Sequence, residues 1–265
     1  MSKTKGFSLD RIQKGPVAMP RKTIIYGPPK LGKSTLAGSA KNAIIIPTED
    51  RVAHIDCDKT PVVKEYSEML DIFTFLLEEK HPYKRIIIDS LDWLEPILHR
   101  HICVQKGFKS LTDDHNKETA FSKGLKYVAV DAWKSFLHNL DVLREAGFDI
   151  IIVAHSTTIT VSPPDSDSYD KSVMKIDKNA LSVIEEWADV IAFYDKEIFV
   201  KNDDKSLSKK GKAVSTNRRL LHLSGENAAM INGNSFGLGD AVVTLDQCQN
   251  IMEWLLTGKN ENEGE

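Results

Sequence analysis

The sequence has few cysteines and no long hydrophobic run. Its three cysteines, Cys57, Cys103 and Cys248, are odd in number and widely spaced. We therefore expect reduced thiols in a cytoplasmic protein rather than a disulfide framework or a zinc site. No apolar run approaches the roughly 18 residues that span a bilayer, and the first residues, MSKTKGFSLD, contain no apolar signal core. A secreted disulfide scaffold and a membrane protein are not expected.

The chain also lacks an excess of basic residues. Its 35 Lys and Arg are balanced by 38 Asp and Glu, and the formal net charge is −3. This balance excludes a uniformly basic nucleic-acid coat, so any binding to nucleic acid must depend on local patches. Hydrophobic residues make up 41% of the 265 residues, which is enough for one large α/β domain with or without a small appendage.

Short apolar segments alternate with segments of helical periodicity. The apolar segments predict five buried strands, at 22–27, 43–47, 85–90, 148–156 and 188–195. Apolar residues at helical spacing predict helices after the glycine-rich segment that follows the first strand, and at 66–80, 91–105 and 127–147. Near-continuous apolar strands between helices indicate a mostly parallel central sheet that is covered by helices on both faces.

The two ends of the chain differ from this alternating region. Residues 1–20 are basic, polar and end in proline, and they predict an extended N-terminal arm. Near the other end, two apolar segments that flank a polar, lysine-rich stretch predict a late β-hairpin. A C-terminal helix at 244–258 and an acidic disordered tail at 259–265 follow. We expect one α/β domain over residues 21–258.

A glycine-rich segment joins the first strand to a helix. Residues 27–34, GPPKLGKS, fit the pattern G-x-x-x-x-G-K-[ST] without departure. Such a loop turns its backbone N–H groups around phosphates, because glycine adopts angles that other residues resist. Lys33 is expected to reach the β- and γ-phosphates, Ser34 to bind Mg²⁺, and Thr35 to contact the α-phosphate. The expected ligands are ATP and Mg²⁺, and the expected nucleotide-binding residues are Gly27, Pro28, Pro29, Lys30, Leu31, Gly32, Lys33, Ser34 and Thr35.

Acidic residues follow two further strands. Asp89 ends the third strand, where a carboxylate can order the Mg²⁺ shell; the alternative is a cap for the helix that begins at Leu91. Glu49 and Asp50 follow the second strand, whose end should face the γ-phosphate in an open α/β sheet. Glu49 is our candidate for the general base, with Asp50 as the second choice. The alternative for both is a role as solvated loop acids.

A histidine ends the fourth strand. His155 follows the apolar run IIIVA, and from the end of a central strand its side chain can hydrogen-bond the γ-phosphate and sense its presence. The alternative is a purely structural histidine. Lys33, Glu49 and His155 are therefore the candidate catalytic residues.

The segments YGPPKLGKST, TED, IIIDSLDWLE and 124–156 resemble a known family. They are similar to phage-type RecA-like P-loop ATPases, the AAA-domain family of bacteriophage single-strand annealing and recombination ATPases. The resemblance covers roughly residues 20–245. It implies a RecA-like core with ATP and Mg²⁺. It also implies homo-oligomers, rings or filaments, with nucleotide at the subunit interfaces, and single-stranded DNA bound by the loops after the third and fourth strands.

Two long polar segments occupy the places of those loops, at 105–127 and 156–179. Basic residues interleaved with aromatic ones suit single strands, because charge holds phosphate and rings stack on bases. A solvated lid without DNA is the alternative, and four aspartates in the second segment weaken the DNA interpretation. A third basic stretch, 205–219, is equally compatible with a hairpin tip near DNA and with a solvated face. The expected DNA contacts are Lys106, Phe108, Lys109, Lys117, Lys123, Lys171 and Lys175.

The chain departs from the family pattern near its C-terminus. Related ATPases carry a basic pair there that reaches the neighbouring subunit's γ-phosphate. Here the stretch MINGNSFGLGD has Asn232 and Asn234 in those places. The departure predicts slow hydrolysis, or a substitute among Arg218, Arg219 and Lys212, between which the sequence does not choose.

These features predict an ATP-hydrolysing protein that acts on single-stranded DNA in phage-type recombination, annealing or replication. It would work in the cytoplasm, that of the host if phage-encoded, with a single-strand-binding protein as a further candidate partner. The main alternative is an ATP-dependent switch that binds a protein partner without DNA. A small-molecule kinase is disfavoured because residues 100–200 contain only Arg100 and Arg144 for a lid. A helicase would require a hexamer, since no second motor domain is evident.

Overall fold

Strands form the centre of the molecule. A computed structural model describes residues 12–15, 17–201, 212–225 and 228–259, and ten strands lie within these ranges. The strands are β1 (Lys22–Gly27), β2 (Ala43–Pro47), β3 (Asp58–Lys59), β4 (Arg85–Asp89), β5 (Asp149–Val161), β6 (Tyr169–Met174), β7 (Val190–Lys201), β8 (Lys212–His222), β9 (Gly233–Asn234) and β10 (Ala241–Val243).

The strand order across the sheet is β10-β8-β7-β1-β5-β4-β2-β3. The six strands from β7 to β3 are parallel to one another. At one edge, β8 pairs antiparallel with β7, and β10 pairs antiparallel with β8. The short β9 pairs with β7, and β6 pairs with the outer half of β5. The central strand β1 therefore has parallel neighbours on both sides, and its C-terminal end lies in the middle of one sheet edge.

Helices cover both faces of the sheet. They are α1 (Lys33–Gly38), α2 (Tyr66–Glu78), α3 (Leu91–Lys106), α4 (Val130–Glu145), α5 (Lys178–Trp187) and α6 (Cys248–Thr257). A π-helical turn, Gly124–Ala129, runs directly into α4, and a 3₁₀ turn, Leu245–Gln247, precedes α6. Helices α2 to α5 pack on one face, and α1 and α6 pack on the other.

The strands are rich in isoleucine because helices cover both faces of the sheet. Along β1, Ile24 and Tyr26 enter the core under α2 to α5, whereas Ile25 enters the core under α1 and α6. Successive strand residues point to opposite faces, so a strand buried on both faces must be apolar at every position. Trp133 and Phe136 of α4 are fully buried in the core under α2 to α5, where their rings form an edge-to-face pair. This pair anchors the long helix α4 on the sheet.

The predicted fold class is confirmed. The central sheet is mostly parallel with helices on both faces, β7 and β8 form the late hairpin, and α6 is the C-terminal helix. The expectation of a long loop at 156–179 is wrong, because β5 continues to Val161 and pairs with β6 as a hairpin. Helix α5 was not predicted, since its short apolar stripe lies inside a segment that is otherwise rich in charge and hydroxyl groups.

Parts of the predicted domain organisation lie outside the described residues. These are most of the 1–20 arm, the part of the basic stretch before residue 212, and the acidic tail from 260 onward. The division into an arm, a domain at 21–258 and a tail stays a prediction. Among the residues that the structure does describe, no helix combines the length and apolarity needed to cross a bilayer.

Candidate functional site

The C-terminal ends of β1, β2 and β4 meet at one edge of the sheet beside His155, which does not end its strand as expected, because β5 continues to Val161. Gly27 at the end of β1 pairs with His155 of β5, and Asp89 at the end of β4 pairs with both Val153 and Pro47. A cavity of about 390 Å³ opens at this edge. It is lined by the loop after β1, by Glu49, Asp89 and His155, and by Arg219 of β8. The structure thus brings together the residues that the sequence placed at three separate strand ends.

Lys33 is the buried cation of the loop. Its side chain is 4% exposed, and Nζ donates hydrogen bonds to the carbonyl oxygens of Gly27 at 3.0 Å and Pro28 at 2.8 Å. Burial lowers the pKa of Lys33 to about 8, and the nearby carboxylates of Asp89, Asp92 and Glu49 oppose that shift. The ammonium group is therefore held at the loop by weak acceptors that an anionic phosphate can replace.

The loop residues have different structural roles. Pro29, Lys30, Gly32, Lys33, Ser34 and Thr35 line the cavity. Leu31 does not, since its side chain packs in the core under α1 and α6. Gly27 and Pro28 take part through their carbonyl oxygens, which accept from Lys33. Among the nine predicted nucleotide-binding residues, Leu31 is thus a packing residue whose apolar side chain fixes the base of the loop.

The two motif glycines are required for different reasons. Gly32 has φ of 90°, a left-handed conformation that side chains disfavour. Gly27 has no such angle, but a Cβ at this position would collide with the carbonyl oxygen of Tyr194 on the neighbouring strand β7. Backbone freedom, which we expected to explain both glycines, therefore explains only Gly32. Gly27 is required for the close approach of β1 and β7.

Gly27→Ala is therefore expected to destabilise the fold itself. The added methyl group would force β1 and β7 apart, and overpacking of this kind costs roughly 1–3 kcal/mol in the free energy of unfolding. Chemical denaturation of the nucleotide-free protein measures this change. Gly239→Ala is the matched control, because open space surrounds Gly239 and its stability should change by less than about 0.5 kcal/mol. Equal stability of the two variants would contradict the packing role of Gly27.

Asp89 and Ser34 form the oxygen-rich part of the site. Asp89 is 1% exposed, and its Oδ2 is a buried atom without a hydrogen-bond partner among the described residues. Burial raises the pKa of Asp89, while contact with the Ser34 hydroxyl and the charge of Lys33 act in the opposite direction. Mg²⁺ prefers such oxygen ligands, so the two side chains fit the metal. The N-cap position of α3 is occupied by Ser90 and not by Asp89.

Thr48 fixes the end of β2 against the end of β4. Its hydroxyl donates to the Ser90 carbonyl at 2.7 Å and accepts from the Ser90 N–H at 2.8 Å. Its own N–H donates to the Asp89 carbonyl at 2.7 Å. These three bonds hold the next residue, Glu49, at the cavity. Thr48 was not identified from the sequence, where it is one hydroxyl residue among many.

Glu49 lines the cavity, whereas Asp50 does not. The Glu49 side chain is 9% exposed, with Oε2 3.6 Å from Nε of Arg51, while Asp50 is exposed to solvent. Burial raises the pKa of Glu49; the charges of His155 and Arg51 oppose the shift, and those of Asp89 and Asp92 reinforce it. A carboxylate with a raised pKa binds a proton more readily, which suits a general base.

Asp92 holds His155 in place. The His155 backbone N–H donates to Asp92 Oδ1 at 3.0 Å, and Nδ1 lies 3.0 Å from Asp92 Oδ2. Burial alone would raise the pKa of Asp92, but these hydrogen bonds outweigh it and the pKa is lowered. An ionised carboxylate only accepts, so Nδ1 donates and Nε2 is left for a ligand. Asp92 was not predicted; its signal was a second carboxylate three residues after Asp89.

The predicted DNA-contacting residues are placed unequally. Lys106, Lys109, Lys117, Lys123 and Lys175 are exposed, and Lys171 is half-buried. Phe108 does not present a free ring, because it packs against the small core cluster of Leu111, Val128 and Ala129. The exposed rings of this segment are Phe121, which is 88% exposed, and Tyr127, which is 55% exposed.

Of the two residues in place of the family's basic pair, Asn234 has a structural role. The Asn234 amide accepts from the N–H of Leu238 at 2.7 Å and donates to the carbonyls of Leu223 and Leu238. It therefore shapes the turn that leads to β10. Of the three suggested substitutes, Arg219 lines the cavity, Arg218 is exposed and paired with Glu197, and the Lys212 side chain lies outside what is described.

Known proteins provide a further line of comparison. The crystal structure of the RadB recombinase is similar over 86% of this chain and 89% of its own, with a TM-score of 0.42 and 12% identity. The comparison with curated proteins finds no match. A family model described as an AAA domain matches residues 19–229, which contain the loop after β1, Glu49, Asp89, His155 and Arg219. The chain therefore belongs to the AAA domain family.

Proposed function

We propose that the protein is a RecA-like ATPase that uses Mg²⁺ and acts on single-stranded DNA. The observation that carries the ATPase part is the meeting of four features in one cavity: buried Lys33 in its glycine loop, the Ser34–Asp89 oxygens, Glu49 and the His155–Asp92 pair. The proposal includes homo-oligomers with nucleotide at subunit interfaces, and a role in recombination, annealing or replication.

The residues suggest a division of labour in hydrolysis. Lys33 exchanges its two carbonyl contacts for phosphate oxygens of ATP. Ser34 and Asp89 would hold Mg²⁺, which neutralises phosphate charge when bound. Glu49 accepts a proton from the attacking water as the water oxygen bonds to the γ-phosphorus and the bond to the ADP oxygen breaks. His155 presents Nε2 to the γ-phosphate, with its ring orientation fixed by Asp92.

The DNA part of the proposal is supported by exposed charge on two segments that the chain connects to this site. Asp92, in the first turn of α3, contacts His155, and this helix ends at Lys106, where the segment with Lys109, Lys117 and Lys123 starts. The β5–β6 hairpin begins directly after His155, and the Lys175 N–H donates to the His155 carbonyl at 2.8 Å. Both basic segments are therefore attached to the residue that would contact the γ-phosphate, and DNA bound there could alter its position.

The experiment is ATP turnover with and without a single-stranded oligonucleotide, together with oligonucleotide affinity at several salt concentrations. We expect DNA to stimulate turnover several-fold. Lys117→Ala/Lys123→Ala should reduce the stimulation. The same variant should make the negative slope of log K against log salt shallower, by about 0.7 for each phosphate that the protein no longer neutralises.

The matched control is Lys80→Ala/Lys84→Ala. Both lysines are exposed and precede β4, so they lie at the amino-terminal edge of the sheet, away from the cavity. This variant should keep the wild-type stimulation and salt slope. ATP turnover that ignores DNA, in a protein without measurable affinity for the oligonucleotide, would contradict the DNA part of the proposal and leave the ATPase part standing.

A further inference from the structure

Arg219 reaches the nucleotide cavity from the half of the sheet opposite Glu49. It lies on β8, on the far side of β1 from β2 and β4, and its side chain lines the cavity. A Cβ built on Gly32 would lie 2.9 Å from one terminal nitrogen of the Arg219 guanidinium and 3.8 Å from Cζ. The guanidinium group therefore rests directly on the backbone of the phosphate-binding loop, where any side chain at position 32 would displace it.

The surroundings of Arg219 hold the guanidinium without neutralising it. Burial raises the pKa of the Tyr194 hydroxyl, and the adjacent Arg219 opposes that shift. Burial likewise raises the pKa of Cys248, again opposed by Arg219. Within the described part of the chain, no carboxylate forms an ion pair with Arg219. A half-buried guanidinium that faces a cavity, with no ion-pair partner among the described residues, is available to an anionic ligand.

Arg218 shows that this placement is specific to one residue. Successive residues of a strand point to opposite faces. The Arg218 side chain is 57% exposed, and one terminal nitrogen lies 3.3 Å from Oε1 of Glu197. Its charge is already compensated at the surface, whereas that of Arg219 faces the cavity.

The place of Arg219 along the loop identifies the phosphates within its reach. Glu49, Asp89 and His155 mark the γ-phosphate end of the cavity. Arg219 instead lies beside Gly32. The Cβ of Thr35, the residue expected at the α-phosphate, lies 3.9 Å from a Cβ built on Gly32. The guanidinium is thus nearer to the phosphates that ATP and ADP share than to the γ-phosphate.

We propose that Arg219 binds the α- and β-phosphates of the nucleotide bound to its own subunit. The inference rests on the proposed function and assigns to this chain a cationic contact from within the same subunit. It makes Arg219 a ground-state binding residue for ATP and ADP alike, not a group that acts on the transferred phosphoryl. Gly32 is then required twice, for its backbone angle and for the space that the guanidinium occupies.

The test is the affinity of wild type and variants for ADP and for a non-hydrolysable ATP analogue, measured by calorimetry. Charge-assisted hydrogen bonds of this kind correspond to about 10- to 100-fold in affinity. Arg219→Ala and the longer Arg219→Gln should both weaken ADP and the ATP analogue by such a factor, with their affinity ratio unchanged. The KM for ATP should rise by a similar factor, and turnover at saturating ATP should fall by less than the affinity does. Arg218→Ala is the matched control and should change neither affinity by more than about twofold.

The outcomes separate this inference from the function on which it rests. Wild type that binds no nucleotide would overturn both. Tight binding by wild type with equally tight binding by a folded Arg219→Gln variant would overturn the Arg219 assignment alone. Unchanged ADP affinity with greatly slowed turnover would also overturn it, because the arginine would then act on the transition state. Equal decreases of nucleotide affinity in Arg218→Ala and Arg219→Ala would also overturn it, because affinity would then depend on overall positive charge and not on the position of Arg219.

Discussion

Replacing Lys33 with alanine is expected to abolish ATP turnover almost completely. The ammonium group is buried, held by the carbonyls of Gly27 and Pro28, and lies close to three carboxylates. Without it, the phosphates of ATP would enter a cavity in which Asp89, Asp92 and Glu49 repel them. Loss of one preorganised donor alone typically slows catalysis by about 10²–10³-fold, and here ground-state binding is weakened as well. Phosphate release should fall at least about a thousandfold.

The control for this prediction is Lys84→Ala, which removes an exposed lysine at the amino-terminal edge of the sheet. It should keep wild-type turnover and nucleotide affinity. Calorimetry with ADP would show whether Lys33→Ala also binds nucleotide more weakly, as we expect. Residual turnover above about a tenth of wild type in Lys33→Ala would contradict the assignment of the loop after β1 as the phosphate site.

The elements of the central sheet could be predicted because their signals are local. β1, β2 and β4 are short apolar runs bounded by polar residues, and burial on both faces makes every position apolar. The outer part of β5 and all of β6 could not be predicted in the same way. Their residues, rich in Thr, Ser, Asp and Lys, pair with each other, and within β6 only Val173 and Met174 at its end are buried. Backbone pairing determines this hairpin, and it leaves no hydrophobic pattern in the sequence.

The candidate site was predictable only where residue type and strand end coincide. Asp89 and His155 each follow an apolar run of the sequence directly, so their place at the sheet edge could be inferred from those runs, although β5 itself continues past His155 to Val161. Arg219 gave no such signal, because β8 is antiparallel and brings it to the cavity from mid-strand. Asp92 and Thr48 act through hydrogen bonds to other site residues. The roles of such positioning residues depend on contacts in the folded structure, and the pattern of a single sequence does not reveal those contacts.

Glu49→Gln is the second substitution with a large expected effect. Glutamine keeps the size of the side chain but cannot accept the proton of the attacking water at a carboxylate. Loss of a general base typically slows the chemical step by about 10²–10⁴-fold. Affinity for ATP should be retained or rise slightly, since a carboxylate that repels the γ-phosphate is removed. Single-turnover hydrolysis, which separates chemistry from binding and product release, is the measurement.

Asp50→Asn is the matched control for Glu49→Gln, because it removes the adjacent carboxylate. Asp50 is exposed and does not line the cavity, so its loss should change the single-turnover rate by less than about threefold, in line with the small effects of surface substitutions. A slow Asp50→Asn variant beside a normal Glu49→Gln variant would move the base to Asp50. Normal rates in both would mean that neither carboxylate takes the proton. A lower single-turnover rate in Glu49→Gln alone, with ATP still bound tightly, would show that Glu49 takes the proton. The hydrogen bonds between Thr48 and Ser90 would then hold the general base at the cavity.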